Sequence, residues 1–205
     1  MSSAATYPTT PFHPPFLNSQ LMTYQEPSRP IPESYWVIPG QFLAGEYPGV
    51  LYFPELTRKR LDSFLSAGFD TFFDLTTPGE IEPYQLLLQE QAGYYERTIH
   101  YRRFPIGDFG LPTPSQMTII LNAIQATLAD GHKLYLHCYG GIGRTGTVIG
   151  CYLVQQGLSG QQALDQLATW WKRVPKSSRY PHSPETLQQE QFVRAWRQHA
   201  LLTNP

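Results

Sequence analysis

The sequence lacks several features that would assign a protein to a particular class. It has only two cysteines, Cys138 and Cys151, among 205 residues. That is too few for a disulfide scaffold and, with six scattered histidines, leaves no recognisable metal-ligand spacing. No apolar run reaches the roughly 18 residues that cross a bilayer, and residues 1–6 resemble no secretory signal. We therefore expect no membrane span, no metal, and a reducing compartment such as the cytoplasm.

An excess of charge of one sign is also missing. Fifteen Lys and Arg residues face sixteen Asp and Glu residues, for a formal net charge of −1. Such a balance gives no phosphate-neutralising surface, so we expect no nucleic-acid partner. Hydrophobic residues, by contrast, make up 41% of the chain and aromatic residues 14%, which is enough to bury the core of one domain.

The composition divides the chain near residue 30. Residues 1–30 are rich in proline, which breaks helices and central strands, and their apolar residues show no period. We interpret this segment as a flexible N-terminal tail, with a polyproline-type ligand for another protein as the alternative. Residues 31–205 have the pattern of one folded domain.

Strands and helices alternate along residues 31–205. Strands are predicted around the turn at Pro39–Gly40 and at 71–75, 98–104 and 133–137. Helices are predicted at 57–67, 84–92, 115–128, 144–156, 160–173 and 184–201. Ser159 and Ser183 are the expected N-caps of the last two helices. This order predicts a single α/β domain with a mainly parallel sheet of four or five strands, flanked by helices on both faces.

The most informative segment is the glycine-rich loop between the strand ending at His137 and the helix starting near Arg144. Its glycines allow successive backbone N–H groups to face one centre, and the helix presents its positive end there. Arg144 can bind two oxygens of a phosphate, and the same positive field stabilises a thiolate at Cys138. A nucleophile at the base of a phosphate-binding loop indicates a covalent phosphocysteine intermediate.

This loop resembles the signature of the cysteine-dependent protein tyrosine and dual-specificity phosphatases, in which His-Cys is followed by five residues and then Arg-Thr or Arg-Ser. The resemblance implies that Cys138 is the nucleophile and that Arg144 binds phosphate. It also implies that the loop residues between them bind phosphate: Tyr139, Gly140, Gly141, Ile142 and Gly143. A Cys and an Arg at this spacing also occur in rhodanese-like sulfurtransferases, which remain an alternative.

A second match lies 30 residues before Cys138. Asp108-Phe109-Gly110-Leu111-Pro112 resembles the acid loop of the same phosphatases, which implies that Asp108 is the general acid and then the general base. No Trp precedes the loop here, which favours the compact dual-specificity group. The resemblance further implies that Thr145 donates a hydrogen bond to the Cys138 sulfur and that His137 orders the loop backbone.

Two other segments offer weaker candidates. Tyr84 or Tyr139 could form an aromatic wall for a phosphotyrosine ring, although ordinary packing is the competing explanation. A basic run could attract acidic substrates or simply satisfy helix ends; it comprises Lys172, Arg173, Lys176 and Arg179.

We therefore expect phosphomonoester hydrolysis without any cofactor, with phosphotyrosine proteins as the partners and phosphoserine or phosphothreonine as further substrates. Phosphoinositide and inositol-polyphosphate hydrolysis are alternatives, but residues 139–143 carry no charge to bind extra phosphates. A phosphate-binding module without catalysis is the alternative from another class, and it predicts the loss of a catalytic residue.

Overall fold

A computed structural model describes residues 26–203, so that most of the predicted tail lies outside the described residues. Its five strands are β1 (Ser34–Ile38), β2 (Phe42–Gly45), β3 (Thr71–Asp74), β4 (His100–Arg103) and β5 (Leu134–His137). They form one sheet in the order β1-β2-β5-β3-β4. The β1–β2 pair is antiparallel and the other pairs are parallel. The predicted α/β class and mainly parallel sheet are therefore confirmed.

Six α-helices connect and cover these strands. They are α1 (Pro54–Ser66), α2 (Gln85–Tyr94), α3 (Pro114–Ala129), α4 (Gly143–Gln155), α5 (Gly160–Trp171) and α6 (Leu187–Thr203). A 3-10 turn, Pro175–Ser178, links α5 to α6. Ser159 is the N-cap of α5, as predicted, and forms a capping box with Gln162. None of the helices in this range has the length and hydropathy of a membrane span.

The predicted start of the last helix is wrong. We expected Ser183 as its N-cap and Pro184 as its first residue, but the helix begins at Leu187. The Ser183–Pro184 peptide is cis, and the Ser183 hydroxyl donates to the carbonyl of Ile142 at 2.8 Å. Thr186 has the capping role instead, because its hydroxyl accepts from the backbone N–H of Gln189.

Two hydrophobic clusters fill the two sides of the sheet. Side chains alternate along a strand, so neighbours such as Phe72 and Phe73 on β3 enter different clusters. The cluster containing Phe72 packs against α1 and α2. The cluster containing Phe73 packs against α3, α4, α5 and α6. Helices thus cover both faces, and β2, β3 and β5 are buried between them, whereas the edge strand β4 is partly exposed.

The carboxyl ends of β3, β4 and β5 lie side by side. Asp74 is in register with both Arg103 and His137 at the last position of these strands. The loops that follow the three strands therefore leave the sheet from the same edge, which is where ligands bind in open α/β sheets.

Candidate active site

Cys138 is the first residue after β5 and lies at the base of the loop that leads into α4. Its side chain is buried, and its sulfur accepts a hydrogen bond from the backbone N–H of Gly141 at 3.3 Å. Both cysteines of the chain are free. We refer to residues 138–143 as the phosphate loop, since they are the predicted phosphate-binding segment.

The carbonyl groups of the phosphate loop are held from outside by several elements. The carbonyl of Cys138 contacts the His137 ring at 3.0 Å, and that of Tyr139 accepts from the N–H of Tyr47 at 3.0 Å. The carbonyl of Gly140 accepts from Lys176 Nζ at 3.1 Å, and Ser183 donates to Ile142. Because each peptide group is planar, an outward carbonyl turns the next N–H inward. The loop is thereby shaped to bind an anion.

Glycine is required at position 141 by both conformation and space. Gly141 has a φ of +73°, and a Cβ there would lie 2.5 Å from the carbonyl carbon of Gly45 and 2.6 Å from Glu46 N. Any other residue would be strained and would displace the end of β2.

Arg144 is positioned by two carboxylates at the rim of the phosphate loop. Its side chain is 2% exposed and bonds Glu80 through both terminal nitrogens, at 2.6 and 2.7 Å. Asp108 Oδ1 lies 3.0 Å from Nη2, and the Ile106 carbonyl accepts from Nη1 at 3.1 Å. Partial burial would raise the pKa of Glu80, but hydrogen bonds from Arg144 and Thr77 outweigh it and hold that pKa below its ordinary value.

The loop that carries Asp108 reaches over the cleft from the end of β4. Asp108 is 57% exposed and faces the same cleft as Cys138. The next residue, Phe109, has a φ of +55°, which is unusual for a bulky side chain. Gln189 at the start of α6 donates from Nε2 to the Gly110 carbonyl at 3.2 Å. The acid loop is therefore linked to α6 as well as to Arg144.

His137 is buried behind the phosphate loop and is held in one tautomer. Burial lowers the pKa of this ring, although Asp74 and the Cys138 carbonyl oppose the shift, so the ring is neutral near pH 7. A carbonyl only accepts, so Nδ1 must carry the hydrogen that bonds Cys138 O. The other nitrogen, Nε2, then accepts from the Tyr84 hydroxyl at 2.7 Å. Burial raises the pKa of Tyr84 well above its usual range, which keeps that donor protonated.

Two expectations about the site are not met in this structure. Thr145 is buried, but its hydroxyl has no hydrogen-bond partner among the described atoms, so the expected bond to the Cys138 sulfur is not formed. Tyr84 is not an aromatic wall of the cleft, because it is fully buried and used as the partner of His137. Tyr139, the other candidate for the wall, is 48% exposed and lines the cleft.

The cleft itself is open and has a volume of about 920 Å³. It extends from Cys138 and Arg144 past Tyr139 to Lys176 and Arg179 of the predicted basic run. No cluster of three or more metal-ligating side chains occurs in the described part of the chain.

The sequence gave no recognised signal for Glu80, and it suggested Tyr84 only as a possible aromatic wall. Glu80 and Tyr84 lie in the loop after β3, 64 and 53 residues from their partners Arg144 and His137. Lys176 was interpreted only as part of a basic run. The 75–84 loop follows a buried strand, and this position was the one indication in the sequence that the loop would enter the site.

Comparisons with known proteins identify the family of the chain. Residues 56–158 match a family model described as "Polymorphic toxin system, DSP-PTPase phosphatase". Cyclin-dependent kinase inhibitor 3 of Rattus norvegicus is 32% identical over 114 residues, which cover 54% of this chain and 52% of the rat protein. The chain thus spans about half the length, or less, of the first curated relatives it matches.

Solved structures show the same fold. A structure of kinase associated phosphatase, with its catalytic cysteine replaced by serine, has a TM-score of 0.64 at 23% identity. That match covers 80% of this chain and 89% of the other. PTPMT1 in complex with PI(5)P has a TM-score of 0.59 at 16% identity, covering 82% of this chain and 96% of the other. With half of its residues matched by the family model, the chain belongs to the cysteine-dependent protein tyrosine and dual-specificity phosphatase superfamily.

Proposed function

We propose that this protein hydrolyses phosphomonoesters through a phosphocysteine on Cys138, and that phosphotyrosine in proteins is its main substrate. One observation carries the proposal: the N–H of Gly141 bonds the Cys138 sulfur at 3.3 Å, while groups outside the phosphate loop bond its carbonyls and leave its other N–H groups free to face the same centre. Such a loop binds a phosphate dianion and stabilises the thiolate that attacks it. The chemistry requires no metal or organic cofactor.

In the first step the Cys138 thiolate attacks phosphorus, so that an S–P bond forms while the bond to the ester oxygen breaks. Arg144 and the N–H groups of the phosphate loop stabilise the charge on the three other oxygens. Asp108 donates a proton to the departing oxygen, which leaves as a neutral alcohol or phenol.

Arg144 and Asp108 must separate before this step. Their 3.0 Å contact keeps the Asp108 carboxyl on the guanidinium, whereas a proton donor has to face the leaving oxygen. An incoming phosphate dianion competes for the guanidinium and releases Asp108 toward the leaving oxygen. Glu80 keeps its two bonds to Arg144 and holds the guanidinium at the loop.

In the second step water attacks phosphorus and gives a proton to Asp108, which is now the base. The S–P bond breaks, inorganic phosphate leaves, and Cys138 returns as a thiolate. Thr145, in the first turn of α4, is our candidate for stabilising the departing sulfur. His137 acts on the loop backbone and does not contact substrate.

The shape and charge of the cleft support a protein substrate with one phosphate at a time. Exposed Tyr139 and Phe109 line the opening near Cys138 and suit the ring of phosphotyrosine. Farther along, Arg60 and Lys176 share the single Glu46 carboxylate, which offsets one of their two charges, and Glu33 and Glu185 add negative charge to the lining of the cleft. An inositol polyphosphate would require several unpaired cations there. Free Cys138 and Cys151 further support a reducing compartment such as the cytoplasm.

The proposal is tested by phosphate release without metal from peptides containing phosphotyrosine, phosphoserine or phosphothreonine, and from phosphoinositides and inositol hexakisphosphate. Cys138→Ser should abolish release while peptide binding is retained. Cys151→Ser is the matched control, because it removes the other buried cysteine, and it should release phosphate at the wild-type rate.

Release that persists in Cys138→Ser would refute the nucleophile. Release from inositol compounds alone would keep the chemistry and overturn the substrate. No release from any compound, with phosphopeptide binding intact, would instead indicate a binding module.

A further inference from the structure

Lys176 lies in the 3-10 turn before α6 and contacts the phosphate loop directly. Its Nζ donates to the carbonyl of Gly140 at 3.1 Å and lies 2.5 Å from Glu46 Oε2. The side chain is 21% exposed. Its backbone N–H is also fixed, because it donates to Glu33 Oε2 at 3.1 Å. Lys176 is therefore an ordered cation, bound at both ends.

Glu46 holds Lys176 in this position. The same carboxylate accepts from Arg60 of α1 at 3.2 Å, and Arg60 also donates to the Gly49 carbonyl at 3.0 Å. The carbonyl of Glu46 accepts from the Tyr135 hydroxyl of β5. The arrangement connects α1, the end of β2 and the 3-10 turn to one carbonyl of the phosphate loop.

That carbonyl belongs to the peptide group that bonds the nucleophile. The oxygen of Gly140 and the N–H of Gly141 are on opposite sides of one planar peptide. Lys176 holds the oxygen outward, and the N–H accordingly points to the Cys138 sulfur at 3.3 Å. This peptide joins two glycines, so its rotation is less restricted by side chains than that of any other peptide in the phosphate loop.

From this geometry we infer that Lys176 is a positioning residue, which orients the Gly140–Gly141 peptide so that its N–H stabilises the Cys138 thiolate. The inference deepens the proposed function and rests on it. Lys176 does not contact substrate. Its effect on catalysis passes through the peptide to Cys138.

The test compares Lys176→Met with two other variants. Lys176→Arg keeps a donor that can reach the carbonyl. Arg179→Met removes a neighbouring cation that lines the same cleft but has no ion pair among the described residues and no bond to the phosphate loop. Arg179→Met therefore measures the loss of positive charge alone.

Three measurements are made on each variant: the pH dependence of Cys138 alkylation by iodoacetamide, the affinity for tungstate, and kcat/KM for p-nitrophenyl phosphate. We expect Lys176→Met to shift the alkylation profile to higher pH and to lower kcat/KM about tenfold. Tungstate affinity should fall in parallel. Lys176→Arg should restore most of the loss, and Arg179→Met should stay within about twofold of wild type.

An unchanged alkylation profile in Lys176→Met would overturn the inference, as would an equal shift in Arg179→Met. If Lys176→Met does not fold, Glu46→Gln replaces it, because this variant removes the carboxylate that anchors Lys176. Glu46→Gln should shift the alkylation profile in the same direction by a smaller amount. The absence of any shift would overturn the inference. Failure of the proposed function can be distinguished from failure of this inference. If the proposed function is wrong, the wild-type protein shows no Cys138-dependent turnover. Alkylation and tungstate binding would still measure how the phosphate loop responds to Lys176→Met.

Discussion

At the scale of single residues, the site is defined by how its charged groups are paired. Arg144 is shared between Glu80, which bonds both of its terminal nitrogens, and Asp108, which bonds one. The two carboxylates thus have different environments at the same guanidinium. These environments support our proposal that Glu80 holds Arg144 and that the more exposed Asp108 transfers the proton.

Glu185 is a competing candidate for the acid. It lines the same cleft, and partial burial together with the charge of Asp108 raises its pKa above the ordinary value. A carboxyl group with a raised pKa is a better proton donor near neutral pH. The two candidates must therefore be separated by experiment.

We predict that Asp108→Asn slows hydrolysis most for aryl phosphates with poor leaving groups. Loss of a general acid typically costs about 10²- to 10⁴-fold, and a good leaving group departs without the proton. The measurement is kcat/KM against leaving-group pKa for Asp108→Asn and Glu185→Gln. A dependence on leaving group that steepens only in Glu185→Gln would move the acid role to Glu185.

At the scale of structural elements, the phosphate loop is shaped by its neighbours as much as by its own glycines. The end of β2 leaves no room for a side chain at position 141, and the segment before α6 supplies the Ser183 hydroxyl. The loop after β3 supplies Tyr84, whose hydroxyl donates to Nε2 of His137. Each element contributes one hydrogen bond or one close contact, and together they determine where the N–H groups of the loop point.

We predict that Gly141→Ala destabilises the fold by about 2–5 kcal/mol, from backbone strain plus overpacking against Gly45. Gly131→Ala is the matched control, because Gly131 has a φ of +81° but no atom within 4 Å of an added Cβ. The control should lose only the strain, about 1–2 kcal/mol. Urea denaturation of both variants measures the difference, and equal losses would show that contact with β2 is unimportant.

At the scale of the whole molecule, the buried and paired ionisable groups of the site make the free energy of unfolding depend on pH. His137, Asp74 and Glu80 all have pKa values below their ordinary ones in the folded protein. For Asp74, burial acts in the opposite direction but is outweighed by hydrogen bonds from Tyr101 and Thr76. The unfolded chain therefore binds protons more readily than the folded one in acid.

We predict that the free energy of unfolding falls as the pH drops below about 6.5, the ordinary pKa of histidine. The unfolded His137 becomes protonated there while the folded ring stays neutral, so acid favours unfolding. A further fall begins below 4.5, where the unfolded Glu80 takes up a proton before the folded one does. Urea denaturation across this range measures the effect. His137→Asn should flatten the first decline, and an unchanged slope in that variant would contradict the assignment.

Much of the site could be predicted from the sequence because its chemistry is local. Cys138, the glycines and Arg144 follow each other in one loop, and Asp108 lies in a short motif of its own. The capping box at Ser159 is equally local. Ser183 misled the prediction of a helix start. A serine before a proline is typical of a helix start, but here the serine hydroxyl bonds the Ile142 carbonyl of the phosphate loop instead of capping a helix.

By itself, the sequence determined the fold class, the phosphate loop and the candidate acid, because hydrophobic periods and short motifs are properties of neighbouring residues. Only the tertiary structure revealed that Glu80 holds Arg144, that the Tyr84 hydroxyl bonds the His137 ring, and that Lys176 fixes the Gly140 carbonyl. These partners lie 64, 53 and 36 residues apart. The order of strands in the sheet decides which loops meet at its carboxyl edge, and no local pattern encodes that order.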